Sequence, residues 1–435
     1  MGNLKTKKLN KPLSGEITIP PDKSISHRAL IIGSLVKDEI EIKNLSLGED
    51  CLATLEILKE IGVKAEFQNK RDLILKSPKT FIEPEKELYC GNSGTSARLL
   101  AGYFAGLGLN VTLTGDKSLS KRPMKRVIEP LSLMGADIKS TDNKLPMTLY
   151  KGKLKGINYH TKIPSAQVKS SILLAGLNAD SETRVCEDYL SRNHSELMLK
   201  YLGADISTGK DDEGFYTTIK KSDLLPKTIE IAGDISSASF FMVAGAIIKN
   251  SKILIKNVGI NPTRTGILEI FEQAGVNFKL LNKRLLGLEE VADILVEYSP
   301  DIKPFEVKGD MIPKLIDEIP IIAILALKAN GKSVFKDVGD LRNKESDRIK
   351  SIVEAFKKLG VEIIENPDGF IIQGFGDKDK ELNGGFFKTH LDHRLAMSYY
   401  IVSLLNENEM EIEDFNCVNT SFPEFLELFN KLTGV

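Results

Sequence analysis

A sixfold internal repeat constrains this chain more than any other feature. Each copy runs through a small polar turn, a compact helix of small and apolar residues and, about thirty residues on, an amphipathic helix ending at Leu-Gly or its equivalent. The turns are Asp22-Lys23-Ser24, Gly91-Asn92-Ser93-Gly94-Thr95, Pro164-Ser165-Ala166-Gln167, Gly233-Asp234-Ile235-Ser236-Ser237, Ile316-Asp317-Glu318 and Leu391-Asp392-His393-Arg394. Runs such as Ile172-Leu173-Leu174-Ala175-Gly176-Leu177 and Phe240-Phe241-Met242-Val243-Ala244-Gly245-Ala246 have no polar face, so these helices are expected to be buried all round. The second helices differ. In the fifth copy Ile349, Ile352, Val353, Phe356 and Leu359 recur at helical spacing with Lys and Glu between them.

The second helices stop at Gly62, Gly135, Gly203, Gly275, Gly360 and Gly434, where a left-handed cap favours glycine. Pro123, Pro262 and Pro423 are expected in first helical turns, which tolerate a missing N–H. Ile253-Leu254-Ile255 and Val361-Glu362-Ile363-Ile364 read as strands. Such a unit is completed only by stacking on its neighbours, so three units per half is the natural division, with a linear cut near Leu225-Pro226-Lys227.

Composition narrows the class further. With 435 residues and 42% hydrophobic content the chain is large enough for two cores. Lys and Arg total 59 against 60 acids, so no global field recruits nucleic acid or a membrane surface. Cys51, Cys90, Cys186 and Cys417 form no Cys-x-x-Cys pair, and the histidines keep no ligand spacing with them. The expectation is free thiols, a reducing cytoplasmic setting and no structural metal. No run of eighteen apolar residues occurs.

The chemistry lies at the helix starts, where unpaired N–H groups and the positive end of the macrodipole receive anions. Lys23, Arg28, Arg122, Arg192, Lys344, Arg348 and Arg394 are placed at or within a turn of such starts. Isolated surface charges have no reason to keep phase with a repeat, so a ligand with more than one anionic group is implied. Ser24, Ser165 and Gln167 read as caps or ligand contacts, and Gly91 and Gly94 let backbone approach an anion closely. Gly33, Gly102, Gly106, Gly176 and Gly245 read as close-packing positions. Lys344-Glu345-Ser346-Asp347-Arg348 is expected to open a helix with Lys344 and Arg348 on one face. Capping or pairing accounts for Asp347; for Asp317 and Glu345, a cap or salt bridge and general acid–base work both stand.

Pro20-Pro21-Asp22-Lys23-Ser24-Ile25-Ser26-His27-Arg28-Ala29, Gly91-Asn92-Ser93-Gly94-Thr95, Arg122-Pro123-Met124, Ser165-Ala166-Gln167-Val168-Lys169-Ser170, Lys344-Glu345-Ser346-Asp347-Arg348 and Asp392-His393-Arg394 together resemble the 3-phosphoshikimate 1-carboxyvinyltransferase, or EPSP synthase, family. The likeness runs from Leu9 to Leu432, and six strings in family order are far more specific than any one.

The resemblance implies a two-domain inside-out α/β barrel, each domain three helix-and-strand repeats around buried parallel helices. It places residues 1–20 with 229–435 in one domain and 21–228 in the other, with the active site in the cleft between them and a hinge at two chain crossings. It implies transfer of the enolpyruvyl group of phosphoenolpyruvate to the 5-hydroxyl of shikimate 3-phosphate, in the shikimate pathway of aromatic amino acid biosynthesis, by a glyphosate-sensitive cytoplasmic monomer without metal or cofactor. By resemblance, Lys23, Ser24, Arg28, Ser165, Ala166, Gln167, Arg192, Asp317 and Lys344 bind shikimate 3-phosphate. Lys23, Gly94, Arg122, Gln167, Arg348 and Arg394 meet phosphoenolpyruvate; Asp317 is the base for the hydroxyl, and Glu345 or Lys23 handles the proton at the methylene carbon.

Two departures stand out. Thr420 occupies a position where many relatives have lysine, which removes one cation near phosphoenolpyruvate, and Ser165-Ala166-Gln167 replaces the commoner Ser-Ser-Gln. The rival enzyme reading is the sibling transferase acting on UDP-N-acetylglucosamine, but Lys23-Ser24 replaces its Lys-Asn pair and no cysteine stands in Ser118-Leu119-Ser120-Lys121-Arg122-Pro123-Met124. A noncatalytic anion-binding protein of the same fold is the rival from another class; the presence of Asp317 and Glu345 argues against it.

Overall fold

The structure, a computed structural model, describes residues 2–161, 163–378 and 380–434. It divides the chain into two compact units. One comprises the segment up to Pro20, Ala232–Arg284 and the chain from Glu290 on; the other comprises Pro21–Ile231 with Leu285–Glu289. Counting Leu285–Glu289 with the second unit, and placing the crossing at Ile231 and Ala232, departs by a few residues from the expected boundary at 228 and 229.

Within a repeat the order is strand, buried helix, strand, amphipathic helix and two further strands. In the second unit, Leu88–Tyr89 lies parallel to Val111–Thr114, which pairs antiparallel with Met147–Tyr150, itself antiparallel to Asp137–Ser140. The parallel pair needs a crossover, and the Gly94–Leu107 helix supplies it. The Asn158–Thr161 and Glu306–Val307 sheets repeat this order.

The two chain crossings alter the pattern in a way no local signal contains. Ser14–Thr18 precedes the Lys23–Gly33 helix in sequence, yet it pairs with Lys252–Gly259 of the fourth copy. Ile229–Glu230, which precedes the Ile235–Ile247 helix, pairs with Glu39–Lys43 of the first. Each crossing strand thus completes the sheet of the other half's first repeat. In the sixth copy Leu4–Thr6 pairs antiparallel with Met410–Ile412, which runs parallel to Gly385–Phe387, so the described strands of that sheet number three.

The apolar helices are buried as their composition requires: every residue of Ile235–Ile247 and of Ile319–Leu327 is buried. Small residues let two of them meet closely. A Cβ added at Gly102 would lie 1.9 Å from the Ser171 carbonyl oxygen, so the Gly94–Leu107 and Ala166–Gly176 helices cross there with no room for a methyl group. The second helices bury one face, with Ile349, Ile352, Val353 and Phe356 inward in Arg348–Lys358. Their terminal glycines all have positive φ, from 68° at Gly434 to 101° at Gly135.

Local expectations needed correction at several helix starts. Pro123 and Pro423 lie just before the N-caps Met124 and Glu424, and Pro262 precedes the N-cap Thr265, so none sits in a first helical turn. Their locked φ shapes the approach to the helix instead. The Arg348–Lys358 helix starts at Arg348, and Lys344 lies in extended backbone before it (ψ −152°). Lys344 and Arg348 therefore share no helical face, because Asp347 takes the N-cap by accepting the Lys350 N–H. Among the described residues no helix is long and apolar enough to cross a membrane, and no cluster of potential metal ligands occurs. Cys51, Cys90, Cys186 and Cys417 are free thiols, the first three buried.

Candidate active site

In the second unit, three buried-helix starts carry most of the expected residues. Asp22, not Ser24, caps the Lys23–Gly33 helix, accepting the Ile25 N–H at 2.8 Å. Lys23 opens it and pairs with Asp50 at 2.9 Å, both side chains largely buried. The Arg28 guanidinium, from the second turn, is 2% exposed and reaches back to the Ser24 carbonyl at 2.9 Å. It also donates to Ser195 Oγ at 2.8 Å and Ser170 Oγ at 3.0 Å, so Arg28 links its own helix to the Ala166–Gly176 and His194–Tyr201 helices. His27 alongside lies well below its ordinary value because it is buried next to Lys23 and Arg28, so it stays neutral and bonds Thr54.

Gly94 and Arg122 form a second group. Arg122, 8% exposed, donates to Asn92, which in turn donates to Asp116 at 2.6 Å. A Cβ at Gly94 would stand 2.9 Å from Arg98 Nη1 and 3.4 Å from Arg122 Nη1, so the missing side chain leaves space beside two guanidinium groups. Arg98 Nη1 donates to Gln167 Oε1 at 2.6 Å, and Gln167 Nε2 donates to Thr95 Oγ1 at 2.9 Å. Gln167 is thus a bridge between helix starts and not a cap. Ser165 is the cap, accepting the Val168 N–H, with Ala166 the first residue of its helix. Arg192 precedes the N-cap Asn193 of the His194–Tyr201 helix.

In the first unit, Glu345 and Asp317 stand with Asp392 around one buried side chain. Arg348, 1% exposed, donates from Nε to Asp392 Oδ2 at 2.8 Å and from Nη2 to Asp392 Oδ1 at 3.2 Å and Glu345 Oε2 at 2.6 Å. Its Nη1 faces Asp317 Oδ1 at 3.8 Å. Desolvation pulls the Arg348 pKa down, but Asp392, Glu345 and Asp317 outweigh it and hold it above the usual arginine value. The Arg394 N–H and the Ser346 hydroxyl also donate to Asp392, at 3.0 and 3.1 Å. Lys344 pairs with Asp340 at 3.5 Å. Thr420 ends the short helical segment Phe415–Thr420 and is partly exposed.

So the structure gathers Glu345, Asp317 and Asp392 around Arg348 in one unit, with the Arg394 N–H on Asp392, and Lys23, Ser24 and Arg28, then Gly94, Arg122 and Gln167, in the other. Sequence reasoning gave Asp392, Asp50, Asn92 and Arg98 no role of their own. Asp392 was legible as a helix-start acid beside Arg394, whereas Arg98 lies inside an apolar helix and gave no signal.

A family model described as EPSP synthase (3-phosphoshikimate 1-carboxyvinyltransferase) matches residues 7–429. A 3-phosphoshikimate 1-carboxyvinyltransferase of Petrotoga mobilis is 47% identical over 429 residues, 97% of this chain and 98% of that protein. One from Thermotoga neapolitana is 42% identical over 423 residues, again 97% and 98%. The structure of EPSP synthase from Acinetobacter baumannii superposes with a TM-score of 0.86 at 38% identity over 99% of this chain and 98% of that one. The enolpyruvyl transferase NikO from Streptomyces tendae, 15% identical with a TM-score of 0.79 over 99% and 97% of the two chains, shares the fold. With two inside-out α/β halves of three repeats each and relatives matched over nearly their whole length, the chain belongs to the EPSP synthase family.

Proposed function

We propose that this enzyme transfers the enolpyruvyl group of phosphoenolpyruvate to the 5-hydroxyl of shikimate 3-phosphate, giving 5-enolpyruvylshikimate 3-phosphate and phosphate. The hydroxyl oxygen bonds to C2 of phosphoenolpyruvate while C3 gains a proton, and the hydroxyl proton passes to a base. In the resulting tetrahedral adduct the C2–O bond to phosphate then breaks, phosphate leaves with the bonding pair, and loss of a proton from C3 restores the double bond. The chemistry asks for a base, a proton donor at C3, and fixed positive charge where phosphate departs.

In this reading Asp317 is the base, and Glu345 or Lys23 serves C3. Lys23, Ser24, Arg28, Ser165, Ala166, Gln167, Arg192, Asp317 and Lys344 hold shikimate 3-phosphate; Lys23, Gly94, Arg122, Gln167, Arg348 and Arg394 hold phosphoenolpyruvate. The observation that carries the assignment is the Arg348 centre, where a buried permanent cation stands within 3.8 Å of Asp317 and 2.6 Å of Glu345. An anion bound at that guanidinium competes with these carboxylates and brings both within reach of its reacting carbon. Two acids beside a buried arginine are otherwise hard to account for, since a buried ion network contributes little net stability over apolar packing.

The reading extends to a cytoplasmic monomer working on these two small molecules alone, in keeping with a charge balance too even to recruit a polyanion. Phosphate release tests it. Release is expected with phosphoenolpyruvate plus shikimate 3-phosphate and not with phosphoenolpyruvate plus UDP-N-acetylglucosamine. Release with the nucleotide sugar alone would move the assignment to the sibling transferase, and release with neither acceptor would leave an anion-binding protein.

A further inference from the structure

The proposed chemistry makes no use of a buried ion cluster in the second unit. Lys169, in the Ala166–Gly176 helix, is 1% exposed. Its Nζ lies 2.5 Å from Glu187 Oε1 and 2.7 Å from Glu196 Oε1, and both carboxylate side chains are at most 3% exposed. Burial alone pulls the lysine pKa down, but Glu196 and Glu187 outweigh it and keep the ammonium charged. A group of this kind costs desolvation that apolar side chains of similar volume would avoid, so stability gives no reason for it.

The cluster's reach gives one. Lys169 Nζ also donates to the Ser191 carbonyl at 3.3 Å, and Glu187 Oε1 accepts the Ser191 N–H at 2.9 Å. Ser191 is thereby pinned at both its peptide groups, and the one that carries its carbonyl leads directly into Arg192. The adjacent residues form a parallel link. Ser170 follows Lys169 and Ser195 precedes Glu196; their hydroxyls lie 2.7 Å apart, and both accept hydrogen bonds from Arg28. One ion cluster therefore sets the backbone that presents Arg192 and the hydroxyl pair that orients Arg28.

We propose that Lys169 is a positioning residue for shikimate 3-phosphate, acting through Glu187 and Glu196 on Arg192 and Arg28, so that its loss weakens binding of that substrate and spares phosphoenolpyruvate. The inference rests on the assignment of Arg28 and Arg192 to shikimate 3-phosphate. It differs from a purely structural role because that would loosen both substrates together or affect stability alone.

The test measures the dissociation constant for shikimate 3-phosphate by calorimetry, and KM for phosphoenolpyruvate at saturating shikimate 3-phosphate, in the wild type, Lys169→Met and Glu196→Gln. Lys169→Met is expected to raise the dissociation constant about tenfold and Glu196→Gln about threefold, with KM for phosphoenolpyruvate changed by less than about twofold. Glu196→Gln keeps the volume and an acceptor oxygen, so it carries the readout if Lys169→Met does not fold. Unchanged shikimate 3-phosphate binding in the variants, or a parallel rise in both constants, overturns the inference while the functional assignment stands. A folded wild-type protein that does not bind shikimate 3-phosphate overturns the assignment itself and the inference with it.

Discussion

Asp392→Asn isolates the charge that holds Arg348 in place. Asparagine caps helices as well as aspartate does, so the hydrogen bond from the Arg394 N–H to the side-chain oxygen survives, as does the volume. What is lost is one negative charge and one of the two oxygens that receive Nε and Nη2 at 2.8 and 3.2 Å. Both groups are essentially buried, Arg348 at 1% and Asp392 at 0% exposure, so solvent screens little of the effect.

Removing one partner of a buried ion pair costs about 3–5 kcal/mol, and the lower end applies because Glu345 and Asp317 still face the guanidinium. A loss of about 3 kcal/mol in a unit of about 220 residues lowers the melting temperature by about 6–12 °C. Calorimetric unfolding measures this, and a double-mutant cycle with Arg348→Met measures the coupling, expected near 2 kcal/mol. Because Arg348 also loses its orientation, KM for phosphoenolpyruvate is expected to rise. A melting temperature within about 2 °C of wild type, or a coupling below about 0.5 kcal/mol, would refute the reasoning that Asp392 is what holds the arginine.

Asp317→Asn is expected to leave shikimate 3-phosphate affinity unchanged and reduce kcat by about 10² to 10⁴; an unaltered kcat returns Asp317 to pairing with Arg348 alone. Gly94→Ala puts a methyl group 2.9 Å from Arg98 Nη1, the atom that holds Gln167, so KM for phosphoenolpyruvate is expected to rise and glyphosate inhibition to weaken. Equal inhibition of both forms would count against this placement of the pocket. Gly102→Ala is expected to destabilise the second unit by about 3 kcal/mol or more in urea unfolding, since backbone 1.9 Å away cannot move aside without separating two helices; a cost below about 1 kcal/mol would show that they separate readily.

The repeat itself was readable because its signals are local. An all-apolar helix has nowhere to go but a core, and a glycine at a left-handed cap answers to backbone sterics within one turn. The same locality explains the misplacements. Pro123, Pro262 and Pro423 are near helices in sequence but lie two to four residues before the first helical residue, outside the first turn. The spacing of Lys344 and Arg348 implies one face only if the helix begins at Lys344, and the boundary is decided instead by Asp347, which caps it.

The candidate site was legible as a set of residue types and not as a set of partners. Arg348 was identified from its motif as an anion clamp, yet the carboxylate that grips it is 44 residues away in sequence, and the serines on Arg28 are 142 and 167 residues away. Arg98 carries no functional signal in the sequence because it lies in a helix whose composition speaks only of burial, and Lys169, though part of a family string, shows no partner there.

From its sequence alone this protein is committed to six copies of one helix-and-strand unit, to the helices that must be buried, and to cations in phase with the repeat, because period, apolarity and chirality act over a few residues. Only the tertiary structure decides that Ser14–Thr18 and Ile229–Glu230 complete each other's expected sheets, and which acid meets which cation. Edge pairing and ion pairing between distant segments depend on where backbones arrive after packing, and that information is spread over the whole chain.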